Sequence, residues 1–198
     1  VVESHDSLAD VEASGLRVSL DRRVHVASLR YFDRDGSFAA KVRANVGGPL
    51  PSPLGASSTL QSRTGNPIVL AWRSPTETIV LCSAQMSVKS LEADLATSRD
   101  GCVVDQTGGA WVLRMSGDRV GDAFARLGGQ GVLPTIGEAR CGRLADVPVL
   151  AIQVGPGEVL LVVERVYAGH LLNWLRTSAA DFESNHQGRP AKSSNGVV

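Results

Sequence analysis

What this sequence has little of narrows its function before any motif is considered. Cysteine occurs three times in 198 residues, at Cys82, Cys102 and Cys141, an odd number without CxxC spacing, which argues against a disulfide framework and a zinc knuckle. That usage fits a reducing cytoplasm. There is no excess of either charge, since 20 Lys and Arg balance 20 Asp and Glu, so no global field draws the chain to a nucleic-acid backbone or an anionic lipid surface. No run approaches the roughly 20 apolar residues that cross a bilayer. The most apolar region, Val147 to Val166, is broken by Gln153, Gly155, Pro156, Gly157, Glu158 and Glu164, and reads as a hairpin. Val1 to Asp6 show no basic segment followed by an apolar core; the chain opens without Met, so residues ahead of Val1 are left open. Metal-ligand spacings such as HxxxH are missing, as are the GxGxxG and GxxxxGK[ST] phosphate cradles.

What is present is a pattern of elements that recurs. Val24 to Phe32, rich in β-branched and aromatic residues, predicts a strand, with Asp33 to Gly36 a solvated turn. Ser37 stands where an N-cap belongs, and Phe38, Val42 and Val46 lead to a Gly47-Gly48 helix stop. Pro49 to Gly65 reads as a long irregular connection. Pro67 to Trp72 and Glu77 to Cys82 flank Pro75 as a hairpin, and Ser87 caps a helix bearing Val88, Leu91 and Leu95.

The second half repeats this order. Trp111 to Met115 is a strand, and Asp118 caps a helix with Val120, Phe124 and Leu127, stopped by Gly128-Gly129. Val147 to Val154 and Glu158 to Val163 form a hairpin, and Val166 to Ala180 an amphipathic helix. Gly47-Gly48 and Gly128-Gly129, Pro75 and Pro156, Glu77 and Glu158, and Leu91 and Leu172 are all offset by 81. The fold class expected is α+β, two pseudo-repeated β-α-β-β-α units whose antiparallel sheets pack with helices, because neither unit covers both faces of its own sheet. The boundaries expected are an arm over residues 1–15, a first unit over 16–100, a second over 101–182, and a disordered tail over 183–198.

Chemistry-bearing residues are sparse. His5 and His186 fall in the expected flexible ends, where no geometry is fixed. His25 and His170 lie on ordered elements, and either forms a nucleophile–base pair if it meets Cys82, Cys102 or Cys141. The simpler reading makes the cysteines small core residues and the histidines surface or hydrogen-bonded groups. Trp72, Trp111 and Trp174 are core side chains by the same logic, with docking of another subunit the alternative for Trp174.

The segment from Trp111 to Phe182 resembles the gamma subunit of heterotetrameric sarcosine oxidase. The resemblance rests on Leu113-Arg114-Met115-Ser116-Gly117, similar to that family's L-R-x-S-G strand and turn. It rests also on the connection from Leu133-Pro134 to Cys141, and on the closing helix Tyr167 to Leu175. The hairpin around Trp72 and Pro75 extends it to about residues 15 to 182. The resemblance implies a fold similar to the folate-binding region of the glycine-cleavage T-protein. It implies a structural subunit assembled with alpha, beta and delta subunits, in a complex that demethylates sarcosine or a related secondary amino acid. FAD, FMN, NAD and tetrahydrofolate are then expected on partner subunits, with no cofactor bound by this chain. No catalytic, cofactor-binding or metal residue is carried over. Two rivals come from other classes. One is a stand-alone folate-binding or aminomethyltransferase-like protein, for which Asp105, Glu138 and Glu164 are the candidate pterin carboxylates. The other is a small thiol enzyme built on one of the three cysteines.

Overall fold

The computed structural model describes residues 10–60, 65 and 67–187. The first half contains β1 (Val11–Ala13), β2 (Leu16–Leu20), β3 (His25–Tyr31), α1 (Ser37–Val46), β4 (Ala56–Leu60), β5 (Pro67–Ser74), β6 (Glu77–Cys82) and α2 (Gln85–Leu95). The second contains β7 (Gly101–Asp105), β8 (Ala110–Ser116), α3 (Val120–Arg126), β9 (Ala139–Leu144), β10 (Val147–Gly155), β11 (Glu158–Glu164) and α4 (Arg165–Gln187).

These strands form two antiparallel sheets, one ordered β1-β2-β8-β11-β10-β9 and the other β4-β5-β6-β3-β7. Successive side chains of a strand point to opposite faces, so each sheet has an inner and an outer apolar surface. The inner surfaces meet through Val26, Ala71, Ile79 and Leu81 from one sheet and Val112, Leu150, Ile152 and Leu160 from the other. Outside the five-stranded sheet, Leu29, Ile68 and Leu70 pack under Phe38 and Val42 of α1 and Leu91 and Leu95 of α2. Outside the six-stranded sheet, Leu113, Met115 and Leu161 pack under Phe124 of α3 and Leu171, Leu172 and Leu175 of α4. The order is therefore helices, sheet, sheet, helices, and the expected α+β class holds. Burying each such leucine or phenylalanine is worth roughly 1.5–3 kcal/mol, so the three apolar layers carry the fold.

The repeat is visible in the backbone itself. The β5–β6 ladder slips register between Trp72 and Ser74, and the β10–β11 ladder slips between Gln153 and Gly155, the same places at an offset of 81. Gly47 and Gly128 both stop their helices in the left-handed region at φ 71°. Each half also sends a strand into the other half's sheet. β2 pairs with β8, and β7 pairs with β3.

Several local expectations are corrected. The irregular connection over Pro49 to Gly65 contains β4, an edge strand on β5. Its Ala-Ser-Ser-Thr-Leu sequence lacks the apolar alternation of a half-buried strand because it borders only one neighbour. Ser37 is the first residue of α1, not its cap. Gly36 is the capping position, and the orphan N–H of Phe38 is accepted at 2.9 Å by Asp100, which also accepts the Ser37 hydroxyl. Ser87 is buried inside α2, which starts two residues earlier because packing of Val88 and Leu91 sets its entry. Asp118 precedes Arg119, the capping residue of α3, whose N–H is tied at 3.0 Å to the Gly15 carbonyl. The Asp33–Asp35 turn is anchored, since Arg34 donates to the carbonyls of Leu50 and Pro51. The arm expected over 1–15 gives way to β1 at Val11, which is buried. The backbone of α4 is helical as far as Gln187; residues 188–198 of the expected tail, and 1–9 of the arm, lie outside the described residues.

Candidate functional site

The inner face of the five-stranded sheet is apolar at one end and charged at the other. Arg30 of β3 lies directly across from Glu77 of β6 on one side and Cys102 of β7 on the other. All three therefore share the face on which Val26 and Ile79 meet the second sheet. Glu77 is fully engaged: one oxygen accepts the Ser28 hydroxyl at 2.5 Å and lies 3.5 Å from Arg30, and the other lies 3.6 Å from Arg73. The second half reproduces the motif with its partners exchanged. Glu158 stands opposite Ser116, and the neighbouring pair is Leu160 with Arg114, which donates to both Glu158 and Asp21.

Arg30 and Cys102 are exposed, so this end of the face lies beyond the cover of the second sheet. It opens into a cavity of about 610 Å³ lined by Arg30, Phe32, Thr76, Glu77, Arg99 and Cys102 among others. Backbone pairing fixes its floor, with Tyr31 N–H donating to Thr76 at 3.1 Å and Phe32 N–H to Asp100 at 3.0 Å. Arg99 comes from the loop after α2, and Phe32 follows the last residue of β3 with 88% of its surface exposed. The lining holds no histidine; what the cavity offers is positive charge and an aromatic rim.

Of the histidine–cysteine pairings the sequence allows, the structure brings one together among the described residues. His25 and Cys82 are direct cross-strand partners. The pair is not a nucleophile and base, because the Cys82 thiol is buried and points its S–H at the His25 carbonyl, 3.8 Å away. Burial, helped by the Asp105 charge, pushes this thiol up to about 11. Cys82 is the small core residue expected. Cys102 and Cys141 are exposed, which corrects the core assignment for them. His170 accepts the Trp174 indole N–H at 3.1 Å on the outside of α4. His5 lies outside the described residues, as does the side chain of His186.

The candidate pterin carboxylates have other employment. Asp105 accepts the Thr107 N–H at 2.8 Å. Glu138 accepts the Thr135 N–H and hydrogen bonds from Arg140, which hold its carboxyl below the usual range. Glu164 is exposed at the end of β11. None of the three lines the cavity, and among the described residues no group of three His, Cys, Asp or Glu side chains is placed to hold a metal. Trp111 packs against the core with Arg165 5.5 Å above its ring. Trp174 is 48% exposed and shares the surface of α4 with the exposed Val166 and Tyr167, so the core assignment fails for it. The cavity residues Arg30, Phe32 and Arg99 were not foreseeable as a group, since strand register alone unites them.

In sequence, no protein family matches this chain, and no curated protein does either. Solved structures do. A chain of heterotetrameric sarcosine oxidase from Corynebacterium sp. U-96 superposes with a TM-score of 0.70 at 18% identity, over 88% of this chain and 89% of that one. The glycine cleavage system aminomethyltransferase T from Bartonella henselae superposes with a TM-score of 0.65 at 12% identity. The chain shares their fold. This chain spans 81% of itself but only 45% of the aminomethyltransferase in that superposition. Among the described residues no helix is long and apolar enough to cross a membrane.

Proposed function

We propose that this chain is a non-catalytic subunit of gamma type in a heterotetrameric sarcosine oxidase-like complex. The observation that carries this reading is the superposition on a chain of sarcosine oxidase from nearly end to end in both molecules, 88% and 89%. The face of α4 presenting Val166, Tyr167 and Trp174 to solvent agrees with it, since aromatic residues on a surface are typical anchors of an interface. In this reading the alpha and beta subunits carry FAD, FMN and NAD, tetrahydrofolate accepts the one-carbon unit, and this chain fixes the positions of the alpha, beta and delta subunits in the cytoplasm.

The test is co-expression with the alpha, beta and delta subunits of such a complex. The chain is expected to copurify with them at one-to-one stoichiometry and, alone, to show neither flavin absorbance nor amine oxidation. A monodisperse monomer that ignores those subunits refutes the proposal. Trp174→Ala is expected to leave the melting temperature of the isolated chain within about 2 °C, as for a surface site, while weakening copurification at least about ten-fold. Loss of solubility instead would return Trp174 to the core.

A second reading, a stand-alone folate-binding or aminomethyltransferase-like protein, is favoured by the superposition on aminomethyltransferase T. Titration with a reduced folate separates the two, because micromolar binding by the isolated chain belongs only to this second reading.

A further inference from the structure

We propose that the cavity at the open end of the sheet interface binds a small organic monocarboxylate with a flat apolar body. Arg99 is an exposed residue of its wall and makes no ion pair or hydrogen bond among the described residues. Its guanidinium is left to offer its fork of N–H donors to a planar anion held in the cavity. Its neighbour in sequence, Asp100, does not supply that anion, because both carboxylate oxygens are turned to Ser37 and Phe38 at the start of α1.

The charge of the ligand follows from the lining. Glu77 is matched by Arg30 in the cavity and by Arg73 behind it, and its nearer oxygen also accepts the Ser28 hydroxyl. Arg30 and Arg99 against Glu77 leave one positive charge facing the space, which suits a monoanion better than a dianionic phosphate. Its body follows from Phe32, whose ring stands almost entirely free at the rim. An aromatic side chain in that position covers a flat apolar group and shields the ion pair beneath it. A volume of about 610 Å³ lies in the range of small-molecule sites.

Cys102 makes the proposal testable in the full-length chain, for it is an exposed thiol within the lining, whereas Cys141 is an exposed thiol outside it. Benzoate is the probe, with benzamide as its neutral counterpart and inorganic phosphate as an anion without an apolar body. The rate of iodoacetamide alkylation at each cysteine is read by peptide mass spectrometry. At about 10 mM benzoate, alkylation of Cys102 is expected to slow about five-fold or more, as for a fragment of millimolar affinity, and that of Cys141 to stay unchanged. Arg99→Gln and Phe32→Ala should each abolish most of this protection while keeping the melting temperature, since neither side chain supports the core. Failure of benzoate to protect Cys102 overturns the proposal. So does equal protection by benzamide or phosphate, equal slowing of Cys141, or full protection retained in Arg99→Gln.

Discussion

Two glycine-to-alanine substitutions four residues apart should change stability in opposite directions. Gly117, just after β8, has φ +123°, a conformation that L side chains rarely adopt. A β-carbon there would lie 2.8 Å from the Gly15 carbonyl carbon and closer still to its oxygen, and 3.3 Å from the Leu16 α-carbon. Retreat is blocked on the other side, where the Gly117 N–H donates at 3.0 Å to the Gly157 carbonyl. Three turns thus meet at one end of the six-stranded sheet with no room for a methyl group. Backbone strain of about 1–3 kcal/mol and overpacking of about 1–3 kcal/mol together put the loss for Gly117→Ala at roughly 3–5 kcal/mol. For a chain of this length that lowers the melting temperature by roughly 8–15 °C. Gly121 lies in α3 with its nearest neighbour, Leu133 Cδ2, at 3.8 Å. There the added methyl restricts the unfolded chain and suits the helix, so Gly121→Ala should gain about 0.5 kcal/mol. Urea denaturation followed by tryptophan fluorescence measures both. A loss below about 1 kcal/mol for Gly117→Ala, or shifts of the same sign in the two variants, would refute the account of the turns.

Two further predictions concern pH. Hydrogen bonds from Phe38 N–H and the Ser37 hydroxyl hold the Asp100 carboxyl below its usual 3.8. The unfolded chain therefore takes up this proton first as the pH falls; the contribution of Asp100 is in place above 3.8 and is lost as the pH drops through the lowered folded value. Urea midpoints of Asp100→Asn should accordingly decline less steeply in acid than those of the parent. Cys82 behaves in the opposite sense, because its folded value is raised from 9.0 to about 11. The unfolded thiol ionises first as the pH rises, so stability held below 9.0 is lost on the way to about 11, and Cys82→Ala should lack that alkaline decline.

The parts of the fold legible in the sequence are those whose partners are close along the chain. The β5–β6 and β10–β11 hairpins announce themselves by apolar runs around Pro75 and Pro156, and the helix stops by Gly47 and Gly128. What escapes is decided across long separations. The cap of α1 comes from Asp100, 62 positions beyond the N–H it accepts, so Ser37 looked sufficient while doing something else. β4 is too polar to stand out from its Pro- and Ser-rich surroundings. The cavity brings Arg30, Phe32, Thr76 and Arg99 together only through the pairing of β3 with β6 and β7. Trp174 shows the converse, an apolar residue on a periodic helix that faces outward.

The exchanged strands bear on how far the two halves are separable. β2 adds Leu16 and Val18 to the core beneath α3 and α4, although it precedes β3 in sequence; β7 completes the edge of the first half's sheet, although it follows α2. A polypeptide of residues 16–100 would therefore leave β3 without its β7 neighbour and expose the inner face built from Val26, Ala71, Ile79 and Leu81. A polypeptide of residues 101–187 would lose β1 and β2 and uncover Leu113 and Met115 at the edge of β8. Small sheets with one face bare are marginal at best. Each half alone should lack a cooperative urea transition, whereas mixing the two should restore β-sheet circular dichroism and a single transition. A cooperative transition for either half alone would show that its sheet closes without the borrowed strand, and the coupling of the repeats argued from β2 and β7 would fall.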